Sequence, residues 1–198
     1  MRIVAVTKGH GPSAVAAAAA AGLEAVGENR VQEALAKQEA CAGLPIEWHL
    51  IGTLQKNKAR LAAGRFAVIH SIDRLELAVE VARRSPAGTQ QPVLVQVNCS
   101  GEAQKGGVLP RDLAALLDGI RALPSLELRG LMTMAEFTDD ERVQRTAFGQ
   151  LRALRDALIA EGHPLPELSM GMSGDYGAAV EEGATMLRLG SILFGPRT

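Results

Sequence analysis

Short apolar runs alternate with longer stretches in which apolar residues recur at helical spacing, from one end of the chain to the other. The clearest run covers residues 93–97, which are rich in valine and bounded by Pro92 and Asn98, a pattern typical of a buried strand. The stretch behind it has the spacing of one helix face, with Leu113, Leu116, Leu117 and Ile120. The predicted repeating unit is therefore a strand followed by an amphipathic helix.

The same pattern predicts eight strands, each with a helical segment behind it. The predicted strands cover residues 3–6, 25–27, 48–51, 66–70, 93–97, 126–132, 168–170 and 185–189. Eight such units favour a closed (β/α)₈ barrel of the TIM type, although 198 residues is short for that fold. An open doubly wound sheet with a different strand order is the alternative. No linker or low-complexity tract divides the chain, so residues 1–198 are predicted to form a single domain.

The helix behind the fourth predicted strand has an expected start and an expected buried face. Asp73 is a residue type that accepts hydrogen bonds from the first backbone N–H groups of a helix, and we expect it to cap this one. Apolar residues follow at helical spacing, and the face expected to pack on the sheet consists of Leu75, Ala78, Val79 and Ala82.

Composition and charge narrow the class of protein and its partners. The chain has 47% apolar and 22% charged residues, and its 21 basic and 22 acidic residues give a net charge of −1. That balance provides no electrostatic footprint for nucleic acid or an anionic membrane. The longest apolar run is too short to span a bilayer, and the opening strand is too short for a signal peptide. We therefore expect a cytoplasmic globular protein with neither of those partners.

The cysteines and histidines argue against several kinds of active site. Cys41 and Cys99 make neither a disulfide framework nor a metal-ligand cluster. The four histidines show no i,i+4 pair and no carboxylate at ligand spacing, so no metal site is predicted. His49, on a predicted strand, is more typical of a core histidine than of a catalytic base. A dinucleotide-binding glycine fingerprint and a P-loop are both absent from the sequence.

Lys8 is a candidate functional residue because it closes the first predicted strand. In a barrel, the reacting groups lie at the carboxyl ends of the strands and in the loops behind them. A lysine near apolar walls and other cations loses part of its preference for the charged form, and it can then attack an aldehyde as an amine. The alternative is a lysine at a strand end that merely extends into solvent.

Glycine-bearing turns follow the seventh and eighth predicted strands, at residues 169–174 and at Gly190 and Ser191. Glycine lets backbone amides approach a ligand closely, and a helix amino terminus offers unpaired N–H groups to an anion. Phosphate sites in these barrels are frequently built from the loops after strands seven and eight. The turns therefore indicate phosphate binding, with ordinary turn glycines as the alternative.

Arg188 lies within the last apolar strand. Period-two alternation places Met186 and Arg188 on the inner face of the barrel, and Leu187 and Leu189 against the helices. A buried guanidinium is costly unless it meets an acceptor. The acceptor is either a structural carboxylate or an atom of a bound ligand, and the sequence leaves both open.

A strand-end lysine, phosphate-type turns and an inward arginine together suggest pyridoxal 5′-phosphate, and the sequence resembles the pyridoxal phosphate homeostasis proteins. This family, also called the YggS or PROSC family, is related to the barrel of alanine racemase. The matching segments, in family order, include Ala5-Val6-Thr7-Lys8, Gly27-Glu28-Asn29, Trp48-His49-Leu50-Ile51-Gly52, His70-Ser71-Ile72-Asp73, Ser169-Met170-Gly171-Met172-Ser173 and Arg188-Leu189-Gly190-Ser191. The resemblance implies a single barrel of the alanine racemase N-terminal type.

The resemblance also implies roles for eight residues. Lys8 would hold the aldehyde of pyridoxal phosphate as a Schiff base, and Arg188 would face the pyridine nitrogen. The phosphate would be held by Ser173, Gly190 and Ser191. The remaining members would line the pocket, namely Asn29, His49 and Met172. An arginine at the ring nitrogen disfavours protonation there, which weakens the ring as an electron sink.

The sequence departs from the family pattern in three places. The first strand begins at Arg2, so we expect the barrel to lack the family's usual helix ahead of it. Arg30 follows the Gly-Glu-Asn segment, where the family commonly has an aromatic residue. The stretch after Ser173 keeps the family's aspartate, Asp175, but varies around it.

The function implied is a pyridoxal phosphate carrier without robust catalysis, involved in homeostasis of the cofactor and passing it to apo-enzymes. A pyridoxal-phosphate-dependent amino-acid racemase is the alternative. Racemisation needs an acid or base on each face of a planar intermediate, and in the related racemases a tyrosine from an added domain serves the second face. Tyr176, the one tyrosine here, is expected in the first turn of a helix instead. The family further implies a monomer.

Overall fold

The computed structural model describes residues 1–102 and 106–195, and the strands of these residues form one closed parallel barrel. The strands pair in chain order, and the last pairs back onto the first, with Val4 opposite Arg188. They are β1 (Arg2–Val6), β2 (Ala25–Glu28), β3 (Glu47–Leu50), β4 (Val68–Ile72), β5 (Gln91–Gln96), β6 (Leu126–Met132), β7 (Glu167–Ser169) and β8 (Met186–Leu189). The predicted barrel is confirmed, and the open-sheet alternative is wrong.

A helix follows every strand of the described chain. The helices are α1 (Pro12–Ala20), α2 (Val31–Ala40), α3 (Ala59–Ala62), α4 (Leu75–Arg84), α5 (Leu113–Arg121), α6 (Glu141–Ala160), α7 (Tyr176–Glu181) and α8 (Ser191–Phe194), with short 3₁₀ turns at Lys56–Lys58 and Pro110–Asp112. None of the helices in the described ranges is long and apolar enough to cross a membrane.

Every predicted strand is present, and the predicted ends agree with the observed ones to within two residues. Strand β6 has the predicted bounds, whereas β4 begins two residues later than expected and ends at Ile72. The prediction took Phe66 and Ala67 as strand because they are apolar. The strand instead continues through His70 and Ser71, which are polar but buried in the barrel.

The predicted cap and buried face of α4 are partly wrong. Arg74 occupies the N-cap position without a side-chain cap bond, and Asp73 pairs with Arg74 instead. The buried positions are Leu77, Ala78, Val81 and Ala82, while Leu75 and Val79 are exposed. Both flanks of this helix are apolar, so the pattern fits either face. The structure exposes the flank that adjoins the polar stripe of Glu76, Glu80 and Arg83.

The barrel has an outer core between sheet and helices and an inner core within the sheet. Leu187 and Leu189 belong to the outer core, whereas Met186 packs on Val4 and Ala25 in the inner one. A second inner cluster consists of Val68, Leu94 and Met132. The alternation predicted for β8 is therefore confirmed, and the interior is packed rather than open, as is usual for this architecture.

Ion pairs cover the end of the barrel at which the strands begin. Arg2 on β1 reaches the carboxylate of Glu47 on β3 at 2.7 Å. Arg129 on β6 reaches Glu167 on β7 at the same distance. The first pair bridges across β2 and the second joins neighbouring strands, and both lie toward the amino ends of the strands.

Candidate functional site

A cavity of about 540 Å³ lies at the carboxyl ends of the strands, where the loops behind them meet. Its wall includes seven of the eight residues predicted to bind a cofactor, which are Lys8, Asn29, Met172, Ser173, Arg188, Gly190 and Ser191. These residues come from the ends of β1, β2, β7 and β8. The fold thus brings together positions that are as far apart in sequence as Lys8 and Ser191.

Lys8 is held at the cavity by a buried polar cluster behind the end of β1. The Lys37 ammonium donates to the carbonyl oxygen of Thr7 at 2.8 Å and to the Glu28 carboxylate at 2.6 Å. The Thr7 hydroxyl donates to the same carboxylate at 2.5 Å. Because Thr7 and Glu28 have no exposed surface, this cluster fixes the backbone immediately before Lys8.

The sequence prediction did not include Lys37 in the site. The residue lies on α2, and the available signal was its position on the same helix face as the buried Val31 and Ala34. A lysine on an inward helix face needs a buried acceptor. Glu28, within the Gly27-Glu28-Asn29 segment, provides that acceptor.

Asn29 approaches the cavity because the next loop makes room for it. A Cβ atom at Gly52 would lie 2.3 Å from the carbonyl oxygen of Asn29, far inside van der Waals contact. Only glycine allows the two loops to lie this close. The close packing of the loops after β2 and β3 sets the position of Asn29 on the cavity wall.

Ser173 and the end of β8 form a cradle of hydrogen-bond donors. The backbone N–H groups of Gly190 and Ile192 both donate to the Ser173 hydroxyl oxygen, at 3.1 and 3.3 Å. With its lone pairs engaged in this way, the hydroxyl is left to donate its own proton toward the cavity. The two amides are directed at the serine oxygen, so the serine proton is the donor of this group that is left for an anionic oxygen in the cavity.

The turn that carries Ser173 depends on Gly171. This glycine has a φ of +92°, and a Cβ atom there would lie 2.6 Å from the Cβ of Ala179 and 2.8 Å from Leu187. Asp175 completes the turn by accepting a hydrogen bond from the backbone N–H of Met172. The chain can therefore reverse tightly between β7 and α7 and present Ser173 to the cavity.

Arg188 points into the barrel and lines the floor of the cavity. Its Nη1 donates to the Ser169 hydroxyl at 2.7 Å, and its Nη2 donates to the carbonyl oxygen of Thr133 at 2.8 Å. Burial lowers the pKa of Arg188 to about 10, against the opposing effect of the Asp175 carboxylate, so the guanidinium stays charged at neutral pH. Within the described residues no carboxylate lies in ion-pair contact with Arg188, so its acceptors in this structure are the Ser169 hydroxyl and the Thr133 carbonyl rather than the structural carboxylate considered from the sequence.

His49 does not lie on the cavity wall, contrary to the sequence expectation. It has no exposed surface, and its Nδ1 lies 2.8 Å from Nε2 of His70 inside the barrel. Burial lowers its pKa to about 4, with the Arg2 charge acting in the same direction. The residue faces inward from β3 as predicted for a core histidine, but one layer below the cavity.

A further side of the cavity wall comes from the loop after β6, which the sequence prediction did not include. Four consecutive residues form this side of the mouth, namely Glu136, Phe137, Thr138 and Asp139. Phe137 is fully exposed. A mixed loop of this kind carries no sequence signal for a site, because neither spacing nor residue type distinguishes it from an ordinary surface loop.

The fold and the cavity define a barrel of the alanine racemase type with a lysine at the end of its first strand. The family model described as "Alanine racemase, N-terminal domain" matches residues 1–198. Alanine racemase from Clostridium difficile 630 superposes with a TM-score of 0.79 over 99% of this chain and 51% of the racemase, at 17% identity. That likeness concerns the fold alone.

Closer relatives identify the family within this class. The pyridoxal phosphate homeostasis protein of Pseudomonas aeruginosa is 47% identical over 196 residues, which cover 98% of this chain and 84% of that protein. PipY of Synechococcus elongatus, solved with pyridoxal phosphate bound, has a TM-score of 0.91 and 40% identity over 98% of this chain and 92% of PipY. The chain belongs to the family of pyridoxal phosphate homeostasis proteins.

Proposed function

We propose that this protein binds pyridoxal 5′-phosphate in the cavity, holds it covalently through Lys8, and serves homeostasis of the cofactor. One observation carries the proposal: the same cavity contains a primary amine, a cradle of hydroxyl and amide donors, and a buried guanidinium. Pyridoxal phosphate presents an aldehyde, a phosphate and a pyridine nitrogen, and each of these groups has a chemical counterpart there. The binding of pyridoxal phosphate to PipY supports the assignment.

Different residues of the cavity wall are assigned to different groups of the ligand. Ser173, Gly190 and Ser191 hold the phosphate, since a hydroxyl and backbone amides are suited to an anionic oxygen. Lys8 supplies the amine that anchors the ligand. When bound, pyridoxal phosphate supplies an aldehyde that condenses with amines and a ring that can accept electrons. Asn29 and Met172 form the adjoining walls.

Arg188 favours holding the cofactor over catalysis with it. A guanidinium is always a donor and stays protonated, so the ring nitrogen that faces it remains an unprotonated acceptor. The positive charge of Arg188 also disfavours a proton at that nitrogen. A ring without this proton is a weak electron sink, which supports a carrier without robust catalysis of its own.

The racemase alternative lacks a tyrosine in the described cavity wall, whose ionisable groups besides Lys8 include His10, Glu136 and Asp139. Tyr176, the one tyrosine of the chain, lies at the start of α7 with 41% of its surface exposed, and it is not part of the wall. Racemisation needs a proton donor or acceptor on each face of the intermediate. The relative from Pseudomonas aeruginosa is named for homeostasis, which supports the carrier assignment.

The proposal also covers the location, oligomeric state, domain extent and recipients of the carrier. We place the carrier in the cytoplasm as a monomer, and we treat residues 1–198 as one pyridoxal-phosphate-binding domain. Apo-enzymes that need pyridoxal phosphate are the proposed recipients. The open mouth of the cavity supports transfer, because the exposed Phe137 and the exposed face of α8 border it and a second protein can reach them.

The test is to find where the cofactor attaches. Purified protein is titrated with pyridoxal phosphate, reduced with borohydride and digested, and the peptides are analysed by mass spectrometry. We expect a pyridoxyl group on the peptide that contains Lys8. A folded protein with no adduct overturns the cofactor assignment, and an adduct confined to another lysine overturns the anchor.

A second assay separates carrier from racemase. The loaded protein is incubated with L-amino acids in D₂O, and exchange of the α-proton and the enantiomeric ratio are followed. Turnover far slower than binding and release of pyridoxal phosphate supports the carrier. Rapid racemisation overturns it in favour of the alternative.

A further inference from the structure

A line of buried polar side chains continues from Arg188 into the barrel. The Ser169 hydroxyl oxygen accepts from Arg188 at 2.7 Å and lies 3.0 Å from Nδ1 of His70. Nε2 of His70 in turn lies 2.8 Å from Nδ1 of His49. Ser169, His70 and His49 have no exposed surface, and Arg188 has 4%.

The line crosses an interior that is otherwise apolar. Val68, Leu94 and Met132 form one inner cluster, and Val4 and Met186 belong to the other. Polar groups in such surroundings are costly unless each donor and acceptor is paired. Apolar residues would fill the space without that cost, so three linked polar side chains directly behind a cavity guanidinium require an explanation.

The direction of the hydrogen bonds follows from counting protons. A guanidinium has no acceptor, so Arg188 donates to Ser169. The proton of the Ser169 hydroxyl then needs an acceptor, and Nδ1 of His70 is the one within reach. His70 therefore carries its own proton on Nε2 and donates it to Nδ1 of His49.

The surroundings of His49, at the far end of the line, support donation from His70 to His49. With Nδ1 as an acceptor, neutral His49 carries its proton on Nε2, which lies 3.6 Å from the carboxylate of Glu47. An N–H group toward a carboxylate is attractive, whereas a lone pair there would be repulsive. The reverse direction would produce that repulsion and leave the Ser169 proton without a partner among the described residues.

Both imidazoles are neutral at neutral pH. Burial lowers the pKa of His49 to about 4 and lowers the pKa of His70 well below its ordinary value, with His49 and Arg188 acting in the same direction on His70. A proton added to His70 would place a second cation beside the Arg188 guanidinium. The neutral pair avoids that repulsion.

We propose that His49, His70 and Ser169 form one directed hydrogen-bond chain, with both imidazoles protonated at Nε2, which positions Arg188 at the cavity floor. Ser169 can accept from Arg188 because His70 takes the serine proton, and His70 can do so because His49 takes its own. The three are positioning residues: they act on the ligand only through the guanidinium. The part that concerns the pyridine nitrogen rests on the proposed function.

The first experiment uses the protein without ligand. Protein labelled with ¹⁵N-histidine and ¹⁵N-arginine is studied by NMR at neutral pH, with His10 and His163 as internal references. We expect His49 and His70 to show a protonated Nε2 and an unprotonated Nδ1, with a scalar coupling across the bond between them. An Nδ1-protonated tautomer or an imidazolium at either position overturns the proposal.

The second experiment breaks the chain at Ser169. In Ser169→Ala we expect the Arg188 side-chain N–H signals to lose their protection from exchange, and the Ser169→Thr variant to restore it. Thr185→Val is the matched control, since it removes a half-buried hydroxyl bond between the residue before β8 and Leu168 on β7 without touching the chain. Unchanged Arg188 signals in folded Ser169→Ala overturn the proposal, and if that variant does not fold, the tautomers of the unaltered protein decide.

The third experiment adds pyridoxal phosphate. We expect Ser169→Ala to bind it about tenfold more weakly, the loss typical of a charged hydrogen bond, with a shifted absorption band. The Thr185→Val control keeps the parent affinity and band. If the unaltered protein binds no pyridoxal phosphate, the proposed function fails while the NMR results still decide the chain. Equal affinity and an equal band in Ser169→Ala overturn the effect on the ligand.

Discussion

The ammonium group of Lys37 lies 2.6 Å from the carboxylate of Glu28, and both side chains are buried behind the end of β1. Lys37 also binds the carbonyl oxygen of Thr7, the residue before Lys8. A buried pair contributes little net stability when complete, but removing one partner leaves an uncompensated charge. The pair therefore links the integrity of the cavity to an element, α2, that has no residue on the cavity wall.

Breaking this pair is expected to destabilise the protein strongly. Glu28→Gln or Lys37→Met should each lower the free energy of unfolding by about 3–5 kcal/mol, measured by urea denaturation. The double variant should lose less than the sum of the two, because neither charge is then left alone. Arg30→Ala, which breaks an exposed pair with Glu33, is the control and should cost less than about 1 kcal/mol. Additive losses would contradict the buried pairing.

Lys8→Ala should abolish covalent attachment of pyridoxal phosphate with little loss of stability. Lys8 lies at the cavity and not in the core, so its truncation leaves no buried void. Absorption spectra and borohydride trapping measure the attachment, and thermal unfolding measures the fold. Lys56→Ala, at an exposed lysine, should behave as the parent protein. An unchanged absorption band in Lys8→Ala would refute the anchor.

Arg188→Ala should weaken binding of pyridoxal phosphate by about tenfold or more and shift its absorption band, since a charged donor at the ring is lost. Arg188→Lys keeps the charge but not the planar fork, so an intermediate affinity is expected. Arg142→Ala, at an exposed arginine on α6, serves as the control. Equal affinity and an identical band in Arg188→Ala would mean that the arginine is purely structural.

The stability of the protein should fall as the pH falls from about 6.5 to about 4. The pKa of His49 is lowered from 6.5 to about 4 in the folded state, so the unfolded chain binds more protons within that range. His70 acts in the same direction. The His49 contribution is about 3 kcal/mol, fully present above pH 6.5 and lost below pH 4.

Urea denaturation at several pH values checks this window. The slope of the unfolding free energy against pH should be smaller in His49→Gln, which cannot titrate there. His163→Gln is a control at a histidine outside the barrel interior. Equal slopes in the parent and His49→Gln would contradict a neutral, buried His49.

Gly171→Ala should destabilise the protein by about 2 kcal/mol and weaken phosphate binding, because the new methyl group meets Ala179 at a positive φ. Gly177→Ala is the matched control in α7, where a Cβ atom meets nothing within 4 Å. Gly177→Ala should leave the free energy of unfolding unchanged or raise it slightly, since alanine has a higher helix propensity than glycine. The comparison uses inorganic phosphate and pyridoxal phosphate as ligands, and a tolerated Gly171→Ala would contradict the tight turn.

Local pattern was sufficient for the eight strand–helix units and for seven residues of the cavity wall. Barrel geometry converts a strand end into a position on the cavity wall, so Lys8, Ser173 and Gly190 could be placed from chain order and turn residues. The inward face of Arg188 followed from period-two alternation alone. These properties depend on residues next to one another in the chain.

Other features depend on contacts that no local pattern contains. His49 and His70 are 21 residues apart, and His70 and Ser169 are 99 apart. Their pairing requires the inner register of β3, β4 and β7, which is fixed only when the barrel closes. The buried face of α4 is a further example. Apolar residues on both flanks of the helix fit the helical spacing, and only packing against the sheet determines which flank is buried.

The cavity lies at the carboxyl ends of the strands, and the ion pairs of Arg2 with Glu47 and of Arg129 with Glu167 lie toward the opposite end of the barrel. Under the proposed function, pyridoxal phosphate enters and leaves through this one cavity mouth. A supplier and a recipient of the cofactor would then use the mouth in turn, and a protein docked there would block exchange with any other. Transfer would then depend on which partner protein binds first at the cavity mouth, and its rate would be limited by how quickly each partner dissociates.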